Sequence, residues 1–254
     1  MCEAGHEDPE NPSRRGWLKT CMAAGLGAAA GAAVGGLAAT LVGPEFERYE
    51  LREAFSYPPN RSPSGAWWDP LVDQKMKVTD FGLWQGAPGL WRAMYDHGKY
   101  VAGTGLPVLV VRVPRDDAVF VAPTDVTFPS GVHLFFDDVA RDIRLVAFWN
   151  RCTHLCCRAS WHDQPIPDIF RDYTPPVPTW TVYGQDPIWC MCHDSQFDPM
   201  VLIKGIHPLA TEQYVGARLV HGPGTDPLPV MPLRSEDDIL LGAMVYPGWY
   251  RYCR

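Results

Sequence analysis

The sequence predicts a mostly β fold with antiparallel strands, and three observations carry that prediction. The first is the frequency of turn formers: 25 Pro and 23 Gly among 254 residues, which interrupt the chain too often for long helices. The second is a set of short apolar runs rich in β-branched residues. The third is that no stretch after residue 44 has the spacing of a long amphipathic helix, and none repeats. Hydrophobic residues at 46% and charged residues at 20% exclude a wholly disordered chain. A net charge of −7 argues against a nucleic-acid partner, which would demand a basic face.

Residues 106–113 (Leu-Pro-Val-Leu-Val-Val-Arg-Val) read as a buried strand. Residues 117–122 and 132–136 are weaker strand candidates. Residues 143–150 (Ile-Arg-Leu-Val-Ala-Phe-Trp-Asn) form a strong one that runs directly into a cysteine-rich segment. After residue 200, the segments 202–206, 217–221 and 239–246 read as short strands between turns. Residues 67–105 outside the 106–113 run, rich in Trp and Gly at their start, receive no element.

The N-terminus reads as a targeting segment. Arg14-Arg15 precedes an uncharged, Ala/Gly-rich run from Cys21 to Gly43 that Pro44 and Glu45 stop. A helix over that run would reach roughly 35 Å, enough to cross a bilayer core. The paired arginines before a weakly apolar run resemble a twin-arginine export signal, with Trp17 where such signals usually carry Phe. No A-x-A site ends the run, so residues 1–44 are expected to stay as a single-pass transmembrane helix. Gly27, Gly31 and Gly35 share one face of it, where small residues allow close helix approach. Arg14, Arg15 and Lys19 would remain cytoplasmic, placing the rest of the chain outside. Residues 45–66, charged and then Pro/Ser-rich, read as a hinge linker, leaving 67–254 as the folded domain.

Two segments carry the chemistry: Cys152-Thr153-His154-Leu155-Cys156-Cys157 and Cys190-Met191-Cys192-His193-Asp194-Ser195-Gln196-Phe197. Each offers thiols and an imidazole from a tight loop. Such a donor set suits tetrahedral zinc, or a [2Fe–2S] cluster with two Cys on one iron and two His on the other. The pair of motifs, C-x-H-x-x-C with C-x-C-H-x-S, resembles the Rieske iron–sulfur family. In particular it resembles the Rieske subunit of cytochrome bc-type quinol oxidoreductases.

The resemblance implies a Rieske-type antiparallel β base domain with a small inserted cluster-binding subdomain, its loops at about residues 150–205. It implies that Cys152 and Cys190 bind one iron and His154 and His193 the other. Cys157 and Cys192 stand where the family forms a disulfide between the loops, and an exported protein can keep such a bond. Ser195 matches a serine that bonds a bridging sulfide. Leu155 matches an apolar residue that docks at the quinol site. Residues 222–229 look like a diverged form of the Gly/Pro loop that covers the cluster. Phe197 stands where high-potential members carry Tyr; Phe cannot donate a hydrogen bond to a ligand sulfur, so a lowered potential suited to a menaquinol-like donor is expected.

Charge counting supports the chemistry. Two ferric ions, two sulfides, two thiolates and two neutral imidazoles sum to zero, whereas an all-thiolate cluster carries −2. An electron adds more easily to the neutral centre. Reduction then raises the basicity of the ligating imidazoles, coupling one electron to one proton.

The chain also departs from the family pattern. Cys156 replaces the usual Gly, Met191 the usual Pro and Asp194 the usual Gly. Cys156 is read first as a buried free thiol; competition with Cys157 for Cys192, or pairing with Cys253, are the alternatives. The connection from Cys157 to Cys190 is long and Pro-rich, and is expected to form a surface excursion. His6, His97, His133, His162, His207 and His221 are not assigned to the site.

The function this implies is a membrane-anchored electron-transfer subunit of a cytochrome bc-like complex, with its head outside the cell membrane. It would take an electron and a proton from a quinol beside a cytochrome b-type subunit. It would pass the electron to a cytochrome c or copper-protein acceptor. The subunit would not catalyse alone, because a quinol pocket needs a partner's walls. The alternative is the small Rieske subunit of a molybdenum enzyme such as arsenite oxidase. A ring-hydroxylating oxygenase fits less well, since the sequence lacks a 2-His-1-carboxylate motif.

Overall fold

The computed structural model describes residues 49–252 apart from 64, 162–171, 174–175, 184–187 and 245. The predicted anchor at 1–44 lies outside the described residues. Among the described residues no helix is long and apolar enough to cross a membrane.

The described chain is mostly antiparallel β. The strands are β1 (Tyr49–Arg52), β2 (Gly86–Trp91), β3 (Ala93–Asp96), β4 (Lys99–Tyr100), β5 (Leu106–Val113), β6 (Phe136–Asp138), β7 (Ile143–Trp149), β8 (Ile188–Cys190), β9 (Ser195–Ile206), β10 (Gln213–His221), β11 (Leu228–Pro229), β12 (Leu233–Glu236) and β13 (Ile239–Gly242). One short helix, α1 (Pro247–Tyr252), follows them. The strands form a β2-β5-β7-β6 sheet, a β11-β10-β9-β8 sheet, a β1-β3-β4 sheet and a β12-β13 hairpin.

The runs of β5 and β7, apolar but for Arg112 and Arg144, have a direct structural cause. Side chains alternate across a strand, and here both faces are covered. Val108, Val110, Leu145 and Trp149 enter one core, with Phe55, Tyr57 and Trp91. Leu109, Val111, Val146 and Phe148 enter a second core, which also contains Cys152, Cys190 and Phe197. Every residue of β7 is buried as a result. The two sheets join where Met231 N donates to Ala147 O at 2.8 Å, beside the bridge from Phe148 to Val230.

The folded unit begins earlier than residue 67. Tyr49–Arg52 is β1, paired with β3. Phe55, Ser56 and Tyr57 are fully buried. The reading of 49–57 as linker is therefore corrected: the apolar alternation of Phe55 and Tyr57 outweighs the Pro/Ser-rich segment that follows. Residues 67–105 contain β2, β3 and β4, with Trp91 and Tyr95 in the interior. Residues 117–122 form no strand beyond a single bridge at Val121, and the strand expected at 132–136 is not formed there: that segment has a single bridge at His133 and only the first residue of β6, Phe136–Asp138. The 239–246 segment splits into β13 and the approach to α1.

α1 is short but firmly seated. Its Gly248 N donates to Glu212 Oε2 at 2.6 Å. Trp249 is fully buried, with ring contacts to Trp149, Tyr214 and His207. Trp249→Ala is expected to lower unfolding stability by about 3–5 kcal/mol, the usual cost of emptying a large aromatic site, measured by chemical denaturation. A loss under about 1 kcal/mol would show that α1 is not part of the core.

Candidate metal centre

The two cysteine-rich segments are turns, one following β7 of the β2-β5-β7-β6 sheet and the other within the β8–β11 sheet. The first follows β7 and is closed by backbone bonds. Cys152 N donates to Cys157 O at 2.7 Å, and Cys156 N to Cys152 O at 2.9 Å. The second links β8 to β9, with Asp194 N donating to Cys190 O at 2.9 Å. Tight turns of this kind need a left-handed residue. Cys156 supplies it in the first loop at φ 62° and Asp194 in the second at φ 63°. These are the two positions where the resemblance leads one to expect glycine, so the departures keep the backbone shape at some cost in strain.

A disulfide joins Cys157 to Cys192, with Cα atoms 6.6 Å apart. It brings the loops together. The Sγ atoms of Cys157, Cys190 and Cys192 lie within 4.8 Å of one another. Two of those three are consumed by the bridge, so Cys190 is the thiol of that group available to a metal. The other free thiol among the described residues is Cys152, which shares a hydrogen bond with it. Both are buried.

The thiol pair is electrostatically polarised. The Cys190 thiol, donating to Cys152, brings the Cys152 thiol down to about 6 against the cost of burial; the His154 N–H and the Ser195 hydroxyl add to this. Cys190 is pushed up by its neighbour and by burial, against N–H groups of Cys192 and His193. The two shifts are opposite in direction because the sulfurs hydrogen-bond to each other, and the surrounding N–H and hydroxyl donors suit thiolate.

Above the thiols stand His154 and His193, their ring centres 4.8 Å apart and nearly perpendicular. His193 is exposed and His154 half-buried. His154 Nδ1 is buried without a hydrogen-bond partner among the described residues. A buried, unpaired ring nitrogen is costly unless something binds it. Two buried thiols and this orphaned nitrogen fit a metal or iron–sulfur group.

The surroundings hold these loops in place. Ser195 is fully buried, and its Oγ accepts from Gly224 N at 3.1 Å. Thr153 Oγ1 donates to Asp226 O at 2.8 Å. Residues 222–226 therefore touch both loops. Gly222 has φ 88°, and a Cβ there would stand 2.4 Å from Asp194 O, so only glycine fits. Phe197 is fully buried in β9, paired with Ile188 and Leu219. Leu155 and Met191, 60% and 68% exposed, are exposed apolar residues of the same two loops.

Two groups escaped the sequence reading. His221 Nε2 lies 3.2 Å from Asp194 Oδ2, while Trp189 Nε1 and Gln196 Nε2 donate to Asp194 Oδ1. The adjoining Gly222-Pro223-Gly224 was the one available signal for His221. Asp198 is fully buried, and burial pushes its carboxyl up. It accepts from Thr179 Oγ1 at 2.6 Å and from Thr179 N at 2.9 Å. Those bonds draw a 3-10 turn at Thr179–Tyr183 inward, and Trp180 enters the core. The long connection is therefore not wholly a surface excursion; its residues 162–171 lie outside the described residues. Cys156 is disulfide-bonded, which corrects its first reading as a free thiol and leaves the bonded alternatives.

His207 does not join the thiols. Its Nδ1 accepts from Leu209 N and Ala210 N, and its ring packs on Trp249. His162 lies outside the described residues. No protein-family model, curated protein or solved structure matches this chain.

Replacing both bridge cysteines, Cys157→Ser with Cys192→Ser, removes a link across a sequence separation of 35. By the chain-entropy argument this costs about 4 kcal/mol. Denaturant titration of the oxidised protein is the check; a loss below about 1 kcal/mol would mean that the loops are held without the bridge.

Proposed function

We propose that this chain is a Rieske-type electron-transfer subunit that takes electrons from a quinol. The observation that carries the proposal is the buried, unpartnered Nδ1 of His154 beside the paired thiols Cys152 and Cys190. In this reading Cys152 and Cys190 hold one iron of a [2Fe–2S] cluster from the buried side. His154 and His193 hold the other from the outer side. The cluster, when bound, supplies one-electron acceptance at a higher potential than an all-thiolate cluster.

The chain's own residues do the rest. Donors from the His154 backbone and Ser195 face the Cys152 sulfur, and donors from the Cys192 and His193 backbones face Cys190, where they would stabilise the metal-bound thiolates. The exposed ring of His193 presents an edge to a donor, and the apolar side chains of Leu155 and Met191 extend the surface around it. Residues 1–44 anchor the chain, N-terminus cytoplasmic and head outside. A cytochrome b-type subunit supplies the quinol pocket, and a cytochrome c or copper protein accepts the electron. The β2-β5-β7-β6 sheet serves as the base domain and the β8–β11 sheet as the cluster-binding subdomain.

Protein purified from its own membranes should contain two irons and two acid-labile sulfides per chain, with an EPR signal on reduction. His154→Ala should abolish that signal while the Cys157–Cys192 bridge persists. One zinc and no sulfide would overturn the reading. Co-purification with stoichiometric b-type haem supports the quinol-oxidising complex. A haem-free eluate with molybdenum and a large partner overturns that placement.

Phe197→Tyr is expected to raise the reduction potential by on the order of 50 mV, the worth of one added hydrogen bond to a charged sulfur. Redox titration followed by EPR is the measurement. An unchanged potential would show that Phe197 only packs.

A further inference from the structure

Cys156 is disulfide-bonded, yet no other described cysteine is free to be its partner. Cys157 and Cys192 are bonded to each other, and Cys152 and Cys190 are free thiols. The chain has eight cysteines, which leaves Cys2, Cys21 and Cys253. Proximity decides among them. Cys156 Sγ lies 3.9 Å from the carbonyl oxygen of Tyr252, and Cys253 is the next residue. We infer that Cys156 is bonded to Cys253, and that this second bridge uses the C-terminal helix to position His154.

The helix is a suitable anchor because it is fixed independently. Trp249 is buried among Trp149, Tyr214 and His207, and Gly248 N is bonded to Glu212. Its last residue already reaches the first loop: Tyr252 Oη donates to His154 O at 3.4 Å. Adjacent cysteines then pull the loop in two directions. Cys157 ties it to the second loop, and Cys156 ties it to α1. Such a double tether offsets the strain of Cys156 at φ 62° and restricts the backbone that carries the His154 ring. Forming the bridge releases two protons and two electrons from the thiols. The electrons pass to the disulfide of an extracytoplasmic thiol–disulfide oxidoreductase, which leaves as a dithiol.

The positioning role rests on the reading of His154 as a ligand; the bridge itself does not. The test is peptide mapping of the full chain, denatured in alkylating agent without reductant and cut with trypsin. Residues 152–158, 172–204 and 252–254 should migrate as one three-peptide assembly. In Cys253→Ser it should fall to the 152–158 and 172–204 pair. A free, alkylated 252–254 peptide, or a link from 152–158 to Cys2 or Cys21, overturns the bridge.

The second measurement is the reduction potential and EPR line shape of Cys253→Ser at equal iron content. A shift in either supports positioning through the helix, and no change in both overturns it. Protein without iron but with the three-peptide assembly overturns the ligand reading and leaves the bridge standing.

Discussion

The bond between Cys157 and Cys192 joins the two turns covalently, beside the backbone pairing of Ser160 with Trp189, and the site depends on that junction. Each turn alone offers one buried thiol and one imidazole. Together they place Cys152 against Cys190, with the His154 and His193 rings stacked edge to face above them. A low-dielectric setting makes this costly unless the donors are used. The two buried thiols have each other as hydrogen-bond partners, and a ring nitrogen has no partner among the described residues. Burial of unsatisfied polar groups on this scale is a mark of function rather than of stability.

The rest of the structure serves to hold that junction still. β7 is buried on both faces and delivers the first turn from a rigid strand. The β8–β9 hairpin delivers the second, only four residues separating the two strands. Residues 222–226 then close over both, where Gly222 meets Asp194 and Asp226 accepts from Thr153. The site is built on strand ends and short turns, so its donors have little freedom to lose when a group binds.

The departures from the expected glycines illustrate how a local rule can be broken and compensated. Cys156 and Asp194 both adopt left-handed backbone. Asp194 is compensated by Trp189, Gln196 and His221, which hold its carboxylate. Cys156 is compensated covalently, through its own disulfide. In each case the side chain that glycine lacks has been put to use, and both uses tie a turn to more distant parts of the chain.

The sequence by itself determined the β class, the strong strands at 106–113 and 143–149, and the two motifs, because strand alternation and ligand spacing are local properties. It also pointed to Cys157 and Cys192 as bridge partners through a resemblance, and the structure bonds them to each other. Tertiary structure alone decided that Phe55 and Tyr57 belong to the core, since only distant Trp91 and Leu240 reveal what buries them. It alone decided that Asp198 draws Trp180 inward and that His221 meets Asp194, contacts between segments well separated along the chain. Hydrophobic period and turn chemistry act over a few residues. Pairings across strands depend on which sheets pack together, and that is settled only when the whole chain competes for one core.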